Sequence, residues 1–354
     1  MNGRTPLRGR KNLFGFGGVF ISFLYVYERG AKIGVQNNCV IIESDNLKRT
    51  LPIEGIENVI IFGDTSLSSN CVKHFMERDI NLTWLSNQGQ FYGRLESTRS
   101  VNIYRQRRQF ACGEDEEFCL TLGKKIIGAK VKNQITILRR YQRNRPQSSA
   151  QASIDAMNKL LPIINKAECR EELMGYEGNA ARHYYQALGS LVEQEFSFSG
   201  RSRQPPRDPF NSLLSFAYTL LMYDVYTAVV NRGLNPYASF LHSIRNGHPA
   251  LCSDLMEEWR PVLADSLALY VTSKGIIKRE HFEKPAQEGG VYLDKQASKI
   301  YIAEYEKKVR SRSNYINYVD YSVSFRRAIE MQCQRLAHAV EEGNPDIYQP
   351  VVIR

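Results

Sequence analysis

Paired cysteine is what this sequence most plainly lacks. Cys39, Cys71, Cys112, Cys119, Cys169, Cys252 and Cys333 stand singly, odd in number and with no C-x-x-C spacing. That excludes a disulfide framework and a thiolate zinc site, and it fits a reducing cytoplasm. The apolar run Leu13 to Tyr27 behind Arg4, Arg8, Arg10 and Lys11 copies the charged and apolar regions of a secretory signal. Glycines interrupt it, Tyr25 and Tyr27 close it, no small-residue cleavage site follows, and it is too short to span a bilayer. It reads as a basic leader, 1–18, entering a first strand, and no membrane is expected as a partner. There is no internal repeat and no extended low-complexity tract. Negative charge is the scarcer sign: 37 Asp and Glu face 47 Lys and Arg, a formal +10. Such a balance favours a polyanionic partner, or marks a generally basic, well-solvated protein.

What is present is the composition of a globular chain, 43% hydrophobic and 24% charged over 354 residues, enough for two domains. The fold class expected is α+β, with a small N-terminal antiparallel β domain over 19–97 and a larger, mostly helical domain over 98–354. Strands are expected at Phe20 to Tyr27, Cys39 to Glu43, Asn58 to Phe62, Asn81 to Trp84 and Gln90 to Arg94, from β-branched and aromatic runs between turn signals. A helix over Ser68 to Arg78, capped by Ser68 or Ser69, interrupts them. After Ser97 the period becomes 3.6. Helices are expected at Val101 to Ala111, Glu117 to Gln142, Ser153 to Asn165, Glu177 to Glu193, Asn211 to Asn231, Cys252 to Thr272, Lys295 to Val309 and Tyr321 to Glu342.

Between Arg99 and Arg145 basic residues are dense, Arg105, Arg108, Lys130, Arg139 and Arg140 among them, while acidic residues are confined to 114–117. They are candidate phosphate contacts, or a solvated face. Arg201, Arg203 and Arg207 in the proline-rich segment 200–209, and Arg245, are candidates of the same kind.

Metal-assisted phosphoryl chemistry needs hard oxygen ligands, often one imidazole, and an open coordination position. Three stretches supply those groups. In Gly175 to Tyr185 a carboxylate, Glu177, stands among glycines and alanines that let other backbones come close. Alone, Glu177 reads more readily as the complement of a helix dipole than as a catalytic group, because it is placed at the helix start. His242 follows an apolar run and a proline-initiated turn, the setting of many satisfied boundary histidines. Asp254, Glu257 and Glu258 fall at i, i+3 and i+4 on one helical face, where Arg260 could compensate them. Twelve residues separate His242 from Asp254, and the Gly247 and Pro249 between them suit a loop that folds the imidazole back to the acidic face. Spacing alone does not bring Glu177 there.

Four stretches, in order, are similar to one family's wording: Tyr176-Glu-Gly-Asn-Ala-Ala-Arg182, Pro206 to Tyr218, Phe240-Leu-His-Ser243 and Asp254-Leu-Met-Glu-Glu-Trp-Arg-Pro261. Phe62 to Ser68 and Phe325 to Gln332 add to them. The chain thereby resembles the CRISPR-associated integrase of spacer acquisition over nearly its whole length. Phe210, Ala217 and Ala250-Leu-Cys252 depart from the pattern, and the leader lies outside it. The resemblance implies a small β domain for dimerisation and partner contact, followed by a catalytic helical domain. It implies Glu177, His242 and Glu257 as ligands of Mg²⁺ or Mn²⁺, with Asp254 supporting the site and Glu258 a rival third ligand. It further implies a prokaryotic cytoplasm, a homodimer, and a small companion subunit bridging two dimers. The DNA partners implied are a captured fragment and a CRISPR repeat, joined by transesterification. A structure-selective repair nuclease and a non-catalytic DNA-binding scaffold are the alternatives.

Overall fold

The computed structural model describes residues 23–45, 47–99, 101–146, 148–196, 198–203, 205–284, 289–314 and 319–353. The expected leader, and the first three positions of the expected first strand, lie outside them. The chain divides into two compact units, with the break between Ser97 and Thr98.

The first unit holds two four-stranded sheets. In one, β1 (Phe23–Val26) pairs with β5 (Asn58–Phe62), β5 with β7 (Asn81–Leu85), and β7 with β8 (Phe91–Leu95). The other runs β4 (Leu47–Pro52), β3 (Cys39–Ser44), β2 (Ala31–Gln36), β6 (Thr65–Leu67). Helix α1 (Ser69–Glu77) follows β6, and Ser68 Oγ caps it by accepting from Cys71 N at 3.1 Å. Leu24, Val26, Ile33, Val40, Ile42, Val59, Ile61 and Phe75 form a core common to both sheets and the helix.

The expectation of a purely antiparallel domain needs correction. The pairs β1/β5, β5/β7 and β2/β6 are parallel. The cause is connectivity: a parallel pair needs a crossover, and α1 supplies one between β5 and β7, while the β2–β4 meander separates β1 from β5. The β2–β3 hairpin turns on Asn37 and Asn38, both left-handed at φ 50 and 56, the geometry a two-residue primed turn requires.

The second unit is helical: α2 (Ile103–Glu114), α3 (Glu116–Gln142), α4 (Ala150–Ile164), α5 (Arg170–Leu191), α6 (Pro209–Asn231), α7 (Ala250–Met256), α8 (Ser266–Ser273), α9 (Lys295–Arg310) and α10 (Phe325–Glu342). Asp115 caps α3 by accepting from Phe118 N at 3.1 Å, and Asp208 caps α6 by accepting from Asn211 N at 2.7 Å ahead of Pro209. By length and composition α6 could cross a membrane, yet most of it is buried inside this unit, so it is the core helix.

Two further expectations change. The helix expected from Cys252 to Thr272 breaks after α7 and resumes through a π turn, Arg260–Asp265. Pro261 has no N–H to give the Glu257 carbonyl, so the α ladder cannot continue there. Helix α5 begins at Arg170, seven residues earlier than expected, with Glu171 and Glu172 in its first turn. Glu177 is therefore inside the helix, and the dipole account of it fails.

Candidate active site

Four elements of the helical unit converge. The segment between α6 and α7 carries His242, and α2 fixes its entry: Gln109 Nε2 donates to the carbonyls of Asn235 (2.9 Å) and Ala238 (2.6 Å), while Asn235 N donates back to Gln109 Oε1 at 2.8 Å. One turn earlier, Arg105 reaches the Arg232 carbonyl and Glu341. Phe240 packs against Phe118 of α3 with ring centroids 5.4 Å apart. Gly123 matters here: a Cβ on it would lie 2.9 Å from a Leu173 methyl carbon and 3.2 Å from one of Leu241. Only glycine lets α3 approach both α5 and the residue before His242 this closely.

Asp254 is the clasp. Its Oδ2 accepts from the backbone N–H of Phe240 (2.8 Å) and Leu241 (3.1 Å), and its Oδ1 from His242 N (3.0 Å) and the His242 ring Nδ1 (2.7 Å). A fully buried carboxylate accepting four donors is held rigidly in one orientation. With Nδ1 as the donor, Nε2 is left to face Glu257 Oε1 at 3.7 Å. Burial opposes charge on the imidazole. The Asp254 hydrogen bond and the charges of Asp254 and Glu257 outweigh it, raising the His242 pKa above its ordinary value.

Glu257 stands just past the end of α7 with its side chain 2% exposed. Its Oε1 pairs with Arg260 Nη1 at 3.0 Å, and its Oε2 meets the Lys130 ammonium from the middle of α3. Burial alone would push the Glu257 pKa up, but Arg260, then Lys130 and His242, hold it down to about 2. The same ammonium pairs with Glu177 of α5, so Lys130 bridges the two carboxylates. Around this cluster, the guanidiniums of Arg260 and Arg201 each lie over the Tyr218 ring, 5.2 Å from its centroid. The Tyr218 hydroxyl donates to Asp265 Oδ1 at 2.6 Å and Tyr184 to Oδ2 at 2.7 Å.

Hard divalent cations take carboxylate and imidazole donors, and Glu177, Glu257 and His242 Nε2 are of that chemistry. One oxygen tests the fit: Glu257 Oε2 is buried against the Lys130 ammonium, so the place it faces is one that takes a cation. Among the described residues, no three His, Cys, Asp or Glu side chains already stand as a closed cation site. Glu177 meets Glu257 only through Lys130.

The remaining sequence candidates separate. Glu258, the rival ligand, points away: it accepts from Tyr348 Oη (2.5 Å) and Val351 N (2.7 Å), and burial pushes its pKa up to about 8. Lys130 is buried between carboxylates, which corrects its assignment as a phosphate contact. Arg201 likewise serves the fold, donating to Asn211 Oδ1 (2.9 Å) and Ser215 Oγ (3.0 Å), and Arg105 is spent on Glu341 and the Arg232 carbonyl. Arg108, Arg139, Arg203, Arg207 and Arg245 are exposed and Arg140 is half-buried. Sequence reasoning missed Lys130 as a member of the site, and its membership in a basic run is what hid it.

Residues 24–307 match the family model described as CRISPR associated protein Cas1. A CRISPR-associated endonuclease Cas1 of Mycobacterium tuberculosis is 31% identical over 323 residues, which is 91% of this chain and 95% of that protein. In solved structures, a chain of a Cas6-RT-Cas1–Cas2 complex superposes with a TM-score of 0.81 at 23% identity, covering 98% of this chain and 37% of that one. A casposase bound to integration product superposes at 0.80, 19% identical, covering 91% of each chain. Both likenesses are likenesses of fold.

Proposed function

The chain belongs to the CRISPR-associated Cas1 family, and we propose that its helical unit is a metal-dependent DNA endonuclease and integrase of CRISPR adaptation. The observation that carries the reading is the convergence of His242 Nε2 on Glu257 Oε1 at 3.7 Å, with Glu177 drawn to the same point by a shared cation. Glu177, His242 and Glu257 would hold Mg²⁺ or Mn²⁺. Such an ion, when bound, stabilises the charge that develops on a phosphodiester under in-line attack by a 3′ hydroxyl or by water.

The chain's own residues do the positioning. Asp254 holds Nδ1 and so aims the imidazole, leaving Nε2 as the nitrogen that would meet an ion. Arg260 keeps Glu257 ionised in a buried setting. His242 is 27% exposed and Glu177 17%, while Asp254 and Glu257 are closed off, so the substrate phosphate reaches the cluster from the His242 and Glu177 side. The exposed Arg108, Arg139, Arg203, Arg207 and Arg245 are suited to sequence-independent phosphate contacts.

We further propose that the chain acts as a homodimer in a prokaryotic cytoplasm. A small companion subunit would bridge two such dimers over a captured DNA fragment and a CRISPR repeat. The fold shared with a Cas1–Cas2 assembly and with a casposase on integration product supports this arrangement.

The test offers fragments with free 3′ hydroxyls, a supercoiled repeat-bearing plasmid and a branched junction to the wild type and to His242→Ala. Joining of fragment to plasmid by the wild type and its loss in the variant are expected. Retained joining by His242→Ala in saturating Mn²⁺ would refute the ligand assignment, and cleavage of the junction with no joining would favour a repair nuclease.

A further inference from the structure

Lysines on helix surfaces lay their stems along apolar neighbours and send the ammonium to water. Lys130 does the reverse. It sits midway along α3, its side chain 9% exposed, and turns inward to Glu177 of α5 and Glu257 beyond α7, while Lys132 on the same helix is exposed. Both oxygens of Glu257 are thereby committed to cations, Oε1 to Arg260 and Oε2 to Lys130. Without the ammonium, the carboxylates of Glu177 on α5 and Glu257 just past α7 would face each other with no cation between them.

We propose that Lys130 is a positioning residue that keeps a divalent cation's place: its ammonium bridges Glu177 and Glu257 while the ion is absent, and leaves both when the ion binds. The proposal rests on reading Glu177, His242 and Glu257 as the ligand set. Three observations carry it. The ammonium occupies the gap between the two carboxylates, and an ion touching the same oxygens would meet a like charge at contact distance. Glu257 Oε2 is buried against the ammonium, and the charge of Lys130 acts on that carboxylate more strongly than its hydrogen bond does; an ion supplies two units of charge instead of one. The side chain is also of the type that can withdraw: a compact charge on a flexible four-carbon stem, unlike the fixed fork of the neighbouring Arg260. Lys130 thus keeps the empty site assembled and sets how tightly the ion binds.

The experiment measures Mn²⁺ affinity, from the paramagnetic resonance of free Mn²⁺, and thermal unfolding in EDTA and in Mn²⁺. It compares the full-length wild type with Lys130→Met and Lys130→Arg. Lys130→Met is expected to melt below the wild type in EDTA, to gain more from Mn²⁺, and to bind Mn²⁺ roughly tenfold more tightly, the equivalent of one pKa unit of relieved charge interaction. Lys130→Arg keeps a bridging cation that is harder to displace, so it melts near the wild type in EDTA and binds Mn²⁺ more weakly. Unchanged or weaker Mn²⁺ binding by Lys130→Met overturns the proposal. Should Lys130→Met fail to fold in either condition, Lys130→Arg decides, and an affinity at or above the wild type's overturns it. A wild type that binds no Mn²⁺ sinks the ligand reading itself, an outcome distinct from failure of the place-keeping role.

Discussion

Replacing Asp254 by asparagine exchanges one carboxylate oxygen for an amide nitrogen and removes no volume, yet it should unfasten the segment that presents His242. The carboxylate accepts four donors, two on each oxygen. Asparagine offers one oxygen and one amide nitrogen, so whichever way it sits, two of the four N–H groups face a donor. A buried donor left unpaired costs about 1–3 kcal/mol, so the variant should lose about 2–6 kcal/mol. For a unit of this size each kcal/mol moves the midpoint by about 2–4 °C, so a loss near the middle of that range lowers Tm by roughly 8–16 °C. The second effect is local. With its Nδ1 partner gone the imidazole is free to turn, and loss of such a supporting hydrogen bond typically weakens ion binding by about 10–100-fold. Calorimetry in EDTA reads the first effect and Mn²⁺ titration at a temperature where the variant is folded reads the second. A Tm within about 2 °C of the wild type, below the smallest shift of about 4 °C that two lost partners would give, would show that the clasp does not bear on stability. Unchanged Mn²⁺ affinity would show that Asp254 does not orient His242.

Other perturbations probe the surroundings. Gly123→Val places atoms where Leu173 and Leu241 already lie and should cost about 1–3 kcal/mol by overpacking, read as a lower Tm together with weaker Mn²⁺ binding, because Leu241 precedes His242. Burial, then Arg140, lowers the Lys308 pKa from 10.5 to about 8. The folded state therefore binds the proton less well than the unfolded chain. The penalty is present in full below pH 8 and is relieved as pH rises from about 8 to about 10.5. Lys308→Met should be more stable than the wild type by about 3 kcal/mol at pH 7, with the difference shrinking through that window in urea titrations; a constant difference would refute the shift. Arg203→Ala combined with Arg207→Ala should flatten the log–log salt dependence of duplex binding by up to about 0.9 per contact, at unchanged Tm; an unchanged slope would remove both from the DNA interface.

What the sequence made legible is what is local. Helices α3 and α6 announce themselves by long, predominantly helix-forming runs, which place their bodies correctly while the caps Asp115 and Asp208 lie just ahead of the expected starts. The approach of His242 to Asp254 follows from twelve intervening residues and two turn formers. Strands β2, β4 and β6 escaped notice: β2 carries Lys32 and Gly34, β4 is Leu-Lys-Arg-Thr-Leu-Pro, and β6 has three residues. Their order comes from partners across the sheet, β2 drawing on β3 and β6 at once. The start of α5 is marked by Glu171 and Glu172, the acids a first turn favours, while the glycines at 175 and 178, poor helix formers, weaken the helical signal ahead of Glu177.

The inward lysine could not be read at all, and the reason is general. Local sequence tells a charged residue's type and its helical phase, but not whether the facing element carries the opposite charge. Lys130 and Lys132 differ by 200° on α3, so one faces the interior and the other water. Lys130 is tolerated inside only because Glu177, 47 residues on, and Glu257, 127 residues on, arrive opposite it. Each of the three would be costly to bury alone, so none of them predicts its own position. The acidic pocket is stable as a set, and the contribution of any member has to be measured against the other two.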